Sequence, residues 1–190
     1  MTRAGRPTLT TPEQWAQAAL LEIECSGVRG LSVQSAARRL GVSKGGLYHH
    51  FRDRRALLQA ALTLWEARRV TELGERFAEI EDPRERLRRV LVYAGVEMQP
   101  TVILQLMAAG DDPDVAAALR RTTVARLALL RAIFAEIGAT PATAEHRAIM
   151  TYSHYLGLAE LRTHTPEVLA SPRRMRAHLR QLETSLLAGL

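Results

Sequence analysis

The chain has 190 residues, enough for one or two small domains with a substantial core. Its 47% hydrophobic content, rich in Ala, Leu and Arg with only 5% aromatics, favours helices and argues against an all-β or carbohydrate-binding module. The formal charge of +6 is unevenly placed: residues 1–55 hold 9 basic and 4 acidic residues, whereas residues 56–190 hold 17 and 16. Phosphate binding is therefore expected of the first part only. No apolar run reaches the roughly 18 residues that a membrane helix needs, and MTRAGRPTLTT lacks an apolar signal core. A cytoplasmic protein with no membrane partner is expected. Cys25 stands alone, which excludes an internal disulfide and disfavours a cysteine-based metal site. It is expected to be a small buried hydrophobe near the end of the first helix.

Residues 1–11 form an arm with Arg3 and Arg6 that either reaches a DNA groove or stays solvated. Thr11-Pro12-Glu13-Gln14 is a helix start, with Thr as N-cap, Pro at the first position and Gln as capping-box partner. Ala16, Ala19, Leu20 and Ile23 make the buried face of this helix, and Gly27 is expected to stop it. From Leu31 to Leu58 the chain reads as a short helix, a tight turn and a second short helix. Ser32 caps the first of these, and Val33, Ala36, Ala37 and Leu40 give it an apolar face. Gly41 supplies the left-handed corner, Val42 turns back into the core, and Ser43 caps a second helix running to about His50. Ala37, Gly41 and Leu47 have the spacing of a helix-turn-helix: a small residue at the crossing, a glycine corner and an anchoring leucine. The outer face of such a second helix fits the major groove of B-DNA.

Ser43, Lys44, Gly45, Gly46, Tyr48 and His49 sit on that outer face. Their hydroxyl, ammonium and imidazole groups can bond phosphate oxygens. The two glycines cost the helix roughly 1 kcal/mol each, which is explained if they let the backbone approach DNA closely. Ser32 and Val33, at the start of the first helix of the pair, are further candidates for DNA contact. Of the adjacent His49 and His50, one is assigned to phosphate and the other to packing. Lys44 is the only lysine in the sequence; the other 25 basic residues are arginines.

The run SVQSAARRLGVSKGGLYHHFRDRRALL resembles the DNA-binding signature of TetR-family transcriptional repressors, and the match spans about residues 12–60. The family's Gly-Val-Ser-Lys-Gly-x-Leu-Tyr-x-x-Phe pattern is present at fixed spacing. Gly46 departs from it, because the family often carries Thr or Ala there. The resemblance implies that Phe51 packs under the unit, that Asp53 caps the next helix and that Arg54 meets a phosphate. It also implies that the last two long helices pair with those of a second copy.

After Asp53 a long helix is expected to about Ile80, with Leu58, Ala61, Leu62, Trp65 and Phe77 on one face. Pro83 restarts the chain into a helix of about four turns carrying Leu87, Val90, Leu91, Ala94 and Met98, and Pro100 separates it from a shorter one. The acidic turn Gly110–Asp114 is read as the start of the next helix rather than as a metal site. Helices over about 114–137 and 142–164 follow. The last helix carries Met175, Leu179, Leu182 and Leu186 at the spacing of a coiled-coil seam. With Tyr155, Gly157 and Leu158, these form the expected homodimer interface, the alternative being that both helices finish a monomeric core.

The expected fold is all-α: an N-terminal three-helix helix-turn-helix unit joined by a long helix to a C-terminal helical effector-binding and dimerisation domain. The expected boundary lies between residues 52 and 53. The expected function is a DNA-binding regulator that represses from a palindromic operator on double-stranded DNA. The resemblance implies a small effector, which the lack of a charged cluster makes largely apolar, with Trp65, Tyr93, Met98, Met107, Phe134, Met150, Tyr152 and His154 as candidate lining residues. No catalytic residue, metal or cofactor is called for. His146 and His154 lie about 12 Å apart along one helix, and no hydrolase, Walker or zinc motif is present. The competing readings are an architectural DNA-binding protein without an effector and an all-α enzyme with an accessory DNA-binding segment.

Overall fold

The computed structural model describes residues 10–98, 100–169 and 171–190. The arm with Arg3 and Arg6 lies outside the described residues. Helices account for the architecture: α1 (Pro12–Gly30), α2 (Val33–Leu40), a 3-10 helix (Lys44–His49), α3 (Arg54–Ala78), α4 (Pro83–Val92), a π-helix (Tyr93–Glu97), α5 (Thr101–Met107), α6 (Pro113–Ile137), α7 (Pro141–His164) and α8 (Pro172–Leu187). No strand occurs among the described residues, and none of these helices is by itself long and apolar enough to cross a membrane. The chain divides into two compact units, Met1–Trp65 and Glu66–Leu190. The division falls inside α3, beyond the boundary expected at residue 52, because Leu57, Leu58, Ala61 and Leu62 are buried in the first unit.

In the first unit α1 begins with the expected capping box: the Thr11 hydroxyl accepts from the Gln14 N–H at 3.3 Å, and Gln14 Oε1 accepts from the Thr11 N–H at 2.8 Å. Gly27 does not stop the helix. It kinks it at φ 71°, and helical turns continue to Gly30. Trp15, Ile23, Leu31, Leu47, Leu57 and Leu58 are fully buried, each burial stabilising the unit by roughly 1.5–3 kcal/mol. Arg39 pairs with Glu22 at 2.7 Å and so ties α2 to α1. Cys25 is exposed rather than buried, at the rim of the α1–α2 contact, where its sulfur accepts from Arg39 Nη2 at 3.7 Å.

The second unit is built around Leu87, Leu91, Leu130, Ile133, Phe134, Ala148 and Leu186, contributed by α4, α6, α7 and α8. Asp82 caps α4, Asp112 caps α6 and Ser171 caps α8, each through its side-chain oxygen. The four-turn helix expected from Pro83 ends instead at Val92 and opens into the wider π turn, from which the chain leaves at Met98. Gly95 lies in that turn where α8 comes closest: a Cβ there would stand 3.0 Å from Leu179 Cδ2.

Arginine forks close several helix ends, whose last carbonyls have no partner within the helix. Arg147 donates to Ser185 O and Ala188 O, both at 2.9 Å, at the end of α8. Arg86 reaches Ile80 O at 2.9 and 2.6 Å, just past α3.

The apolar stripe of α8 has a different role from the one expected. Met175, Leu179 and Leu186 are buried by this chain's own helices, and Leu182 packs half-buried against the same core. Leu158 and Tyr155 of α7 are buried with them. A seam at this spacing serves a partner helix or the chain's own core equally well, and here it is spent on the core. Gly157 does lie open, with no atom within 4 Å of where a Cβ would stand. Near it on α7, Ile149, Met150 and Leu161 expose 46%, 40% and 36% of their surface.

Candidate nucleic-acid interface

The helix-turn-helix is assembled by local chemistry. Ser32 caps α2 by accepting from the Ser35 N–H at 3.0 Å, while Ser35 Oγ accepts from the Ser32 N–H at 3.1 Å. At the other end Gly41 adopts φ 69° and ψ 25°, a left-handed conformation that costs a residue with a Cβ about 1–2 kcal/mol. It lets the Gly41 and Val42 N–H groups turn back to Arg38 O and Ala37 O, both at 3.1 Å. The segment after the corner is a 3-10 helix over Lys44–His49, where an α-helix to His50 was expected. Ser43 occupies its N-cap position but makes no side-chain capping bond. Two adjacent glycines weaken the α conformation, and a six-residue turn is short enough to run as 3-10.

This turn presents Ser43, Lys44, Gly45, Tyr48 and His49 to solvent while Leu47 is fully buried beneath them. Tyr48 is 61% exposed, unusual for an aromatic ring without a surface to meet. His50 is half-buried, its ring 6.5 Å edge-on from Phe51, so His49 is the histidine that faces outward. Gln34, Arg38, Val42 and Lys44 border a hollow between α2 and the turn, with two cations on its rim.

The site differs from expectation at four positions. Gly46 faces inward: a Cβ there would stand 3.4 Å from Trp15 Cζ2, so its small size serves packing rather than backbone approach to DNA. Val33 is half-buried at the start of α2, and Ser32 spends its hydroxyl on the cap. Arg54, expected on a phosphate, donates Nε to Leu31 O at 2.7 Å and Nη2 to Val28 O at 2.6 Å. It closes the carbonyl end of α1, a partnership spanning more than 20 residues of sequence. Asp53 caps α3 as expected, accepting from the Ala56 N–H at 2.7 Å.

A cavity of about 40 Å³ lies in the second unit, and of the eight expected residues only Met98, Tyr152 and His154 border it. Met107 and Met150 are exposed, because each sits on the solvent side of its helix. Phe134 is fully buried in the core, and Tyr93 packs edge-on against Phe77 with the Arg76 guanidinium 4.7 Å above its ring. Trp65 is buried at the end of the first unit.

Two features of the cavity were missed. Arg126 borders it while only 5% exposed, and His154 stacks on His178 with the two Nε2 atoms 3.2 Å apart. Burial, and then the charge of His178, lower the His154 pKa from its ordinary value. One ring of this pair is the donor and the other the acceptor, an arrangement that requires at least one neutral imidazole.

Residues 17–61 match the family model of the bacterial regulatory proteins, tetR family. No curated protein matches the chain. Among solved structures, a transcriptional regulator from Rhodococcus sp. Rha1 is 28% identical, with a TM-score of 0.78 over 95% of this chain and 97% of that one. NemR of E. coli in its reduced form is 18% identical, with a TM-score of 0.72 over 90% of this chain and 94% of that one. The regulator FadR from Bacillus subtilis, solved in complex with stearoyl-CoA, is 16% identical, with a TM-score of 0.71 over 95% of this chain and all of that one. The matched residues thus carry a helix-turn-helix of the tetR-family type, and over almost its whole length the chain has the fold of a transcriptional regulator.

Proposed function

We propose that the protein is a cytoplasmic repressor that binds a palindromic operator as a homodimer and leaves it when a small effector enters the second unit. The observation that carries the DNA-binding part is the convergence of Ser43, Lys44, Gly45, Tyr48 and His49 on one exposed turn above a fully buried Leu47. Their donors suit phosphate oxygens and base edges, and the short turn fits a major groove. Ser32 and Val33 lie at the start of the neighbouring helix, where a phosphate can accept from free N–H groups. Arg54 acts through the fold, by holding the end of α1.

For the dimer, the exposed Ile149, Met150 and Leu161 with the open Gly157 support α7 as the pairing face. The buried stripe of α8 supports it from behind. Symmetry then places two recognition turns about 34 Å apart, one turn of B-DNA. An effector that favours a spread dimer by a few kcal/mol weakens operator binding usefully, and the continuous helix α3 is the element that conveys the shift.

Selection from a random duplex library with the purified full chain tests this reading. Enrichment of a two-fold palindrome is the expected result. Retention without any motif at moderate salt, or a motif lacking two-fold symmetry, would remove the operator or the dimer respectively.

A further inference from the structure

Arg126 is the most exceptional residue of the second unit. It is 95% buried by its 5% exposure, and among the described residues no carboxylate lies within ion-pair distance of it. Its bonds are poor ones: Nε to Arg69 O at 3.4 Å and Nη2 to the Met98 sulfur at 3.8 Å. A guanidinium has five N–H donors, and a buried charge without a matching partner is strongly disfavoured. Tyr155 lies beneath it, ring centroid 4.9 Å from the guanidinium carbon, and the Tyr155 hydroxyl is buried without a partner. Thr122, one turn earlier on α6, also has a buried hydroxyl without a partner. The rest of the cavity wall is mostly apolar, with Thr151, Tyr152 and His154 on the α7 side, and among the described residues no acidic one borders it.

We propose that this cavity binds an amphipathic carboxylate, its head held by Arg126 with the Tyr155 hydroxyl beside it and its apolar body among the leucines of α4, α7 and α8. This rests on the effector reading above and replaces the largely apolar effector expected from the sequence. A planar guanidinium takes a carboxylate through two parallel N–H···O bonds, which satisfies donors that the fold leaves under-used. The present volume of about 40 Å³ holds a few water molecules but not such a body. Binding therefore has to part the walls, to which α4, α6, α7 and α8 all contribute. Occupancy is thereby tied to a change of helix packing, which is what a releasing effector requires.

The test is isothermal titration calorimetry of the full chain, without DNA, against straight-chain carboxylates from butanoate to decanoate and the primary alcohols of the same lengths. Phenylacetate against 2-phenylethanol serves as an aromatic pair. At least a tenfold preference for the acid is expected at the best-fitting length. Arg126→Met, which keeps the volume of the side chain, should reduce that preference to below about twofold, and Arg126→Lys should retain part of it. Equal binding of acid and alcohol, an undiminished preference in Arg126→Met, or no saturable binding of any acid would overturn the proposal. The acid–alcohol comparison decides even if the methionine variant fails to fold. Operator release is measured separately: an acid that binds through Arg126 without releasing DNA leaves the head-group assignment standing and removes the effector reading.

Discussion

Replacing Arg54 with methionine separates a structural role from a DNA-contacting one. The substitution keeps most of the aliphatic stem and deletes two charge-assisted hydrogen bonds, at 2.7 Å to Leu31 O and 2.6 Å to Val28 O. Bonds of this kind contribute about 1.5–3 kcal/mol each when the carbonyl is left without a substitute. Arg54 is only half-buried, so water replaces part of the loss, and a net destabilisation of about 2–4 kcal/mol is expected. Urea unfolding followed by Trp15 fluorescence, in a Trp65→Phe background, reads the first unit directly. Arg54→Lys can satisfy one carbonyl at most and should fall between the two. The salt dependence of operator binding, measured on folded protein, should keep its slope, since no phosphate contact is lost. An unchanged urea midpoint together with a slope reduced by about one would refute the reasoning and return Arg54 to the phosphate.

The remaining expectations concern single groups. Tyr48→Ala should weaken binding to all duplexes by roughly tenfold, as for loss of one phosphate-positioning bond, with an unchanged melting temperature because the ring is 61% exposed; unaltered affinity in a gel-shift titration would take Tyr48 out of the interface. Gly95→Ala places a Cβ 3.0 Å from Leu179 Cδ2, and overpacking of about 1–3 kcal/mol should outweigh a helix-propensity gain of at most about 1 kcal/mol. Thermal unfolding of Gly95→Ala with and without Leu179→Val checks this, since the shorter side chain should relieve the cost. His154 has a lowered pKa in the folded state, so the unfolded chain binds its proton more readily. Stability from this group is complete above the ordinary histidine pKa of about 6.5 and is lost as pH falls through the lower folded value. His154→Gln, still facing His178, should flatten the decline in melting temperature expected of the parent between about pH 7.5 and 5.5; parallel curves would contradict it.

The helix-turn-helix was legible because its chemistry is local. Ala37, Gly41 and Leu47 act within a few residues of one another, and Ser32, Thr11 and Asp53 cap helices that begin one residue later. The features that escaped sequence reading depend on partners distant in the chain. Arg54 looks like any cation in an arginine-rich sequence until Val28 and Leu31 are brought beneath it. The sequence sets His154 beside His146 on its own helix, whereas its partner is His178 on the next. The α8 stripe carries no mark that distinguishes a core from an interface, and periodicity alone could not assign it. Arg126 was hidden by composition, since one buried guanidinium among 25 arginines leaves no trace in a charge count. The π turn at Tyr93–Glu97 has no proline to announce it; the absence of a side chain on Gly95 against Leu179 is its only sequence signal.

Lys44 opens the recognition turn, exposed, and is the only lysine in the sequence. Chemistry selective for side-chain amines therefore has a single address in this chain. A lysine-specific protease can cut only after residue 44, between the corner of the motif and the tyrosine that follows. Reductive methylation or a fluorescent acylating reagent will mark the same atom, with an α-amino group as the other amine to be told apart by peptide mapping. Protection of one ammonium group by bound duplex then reports occupancy of the proposed groove surface without any engineered label, and loss of that protection on adding a ligand reports release.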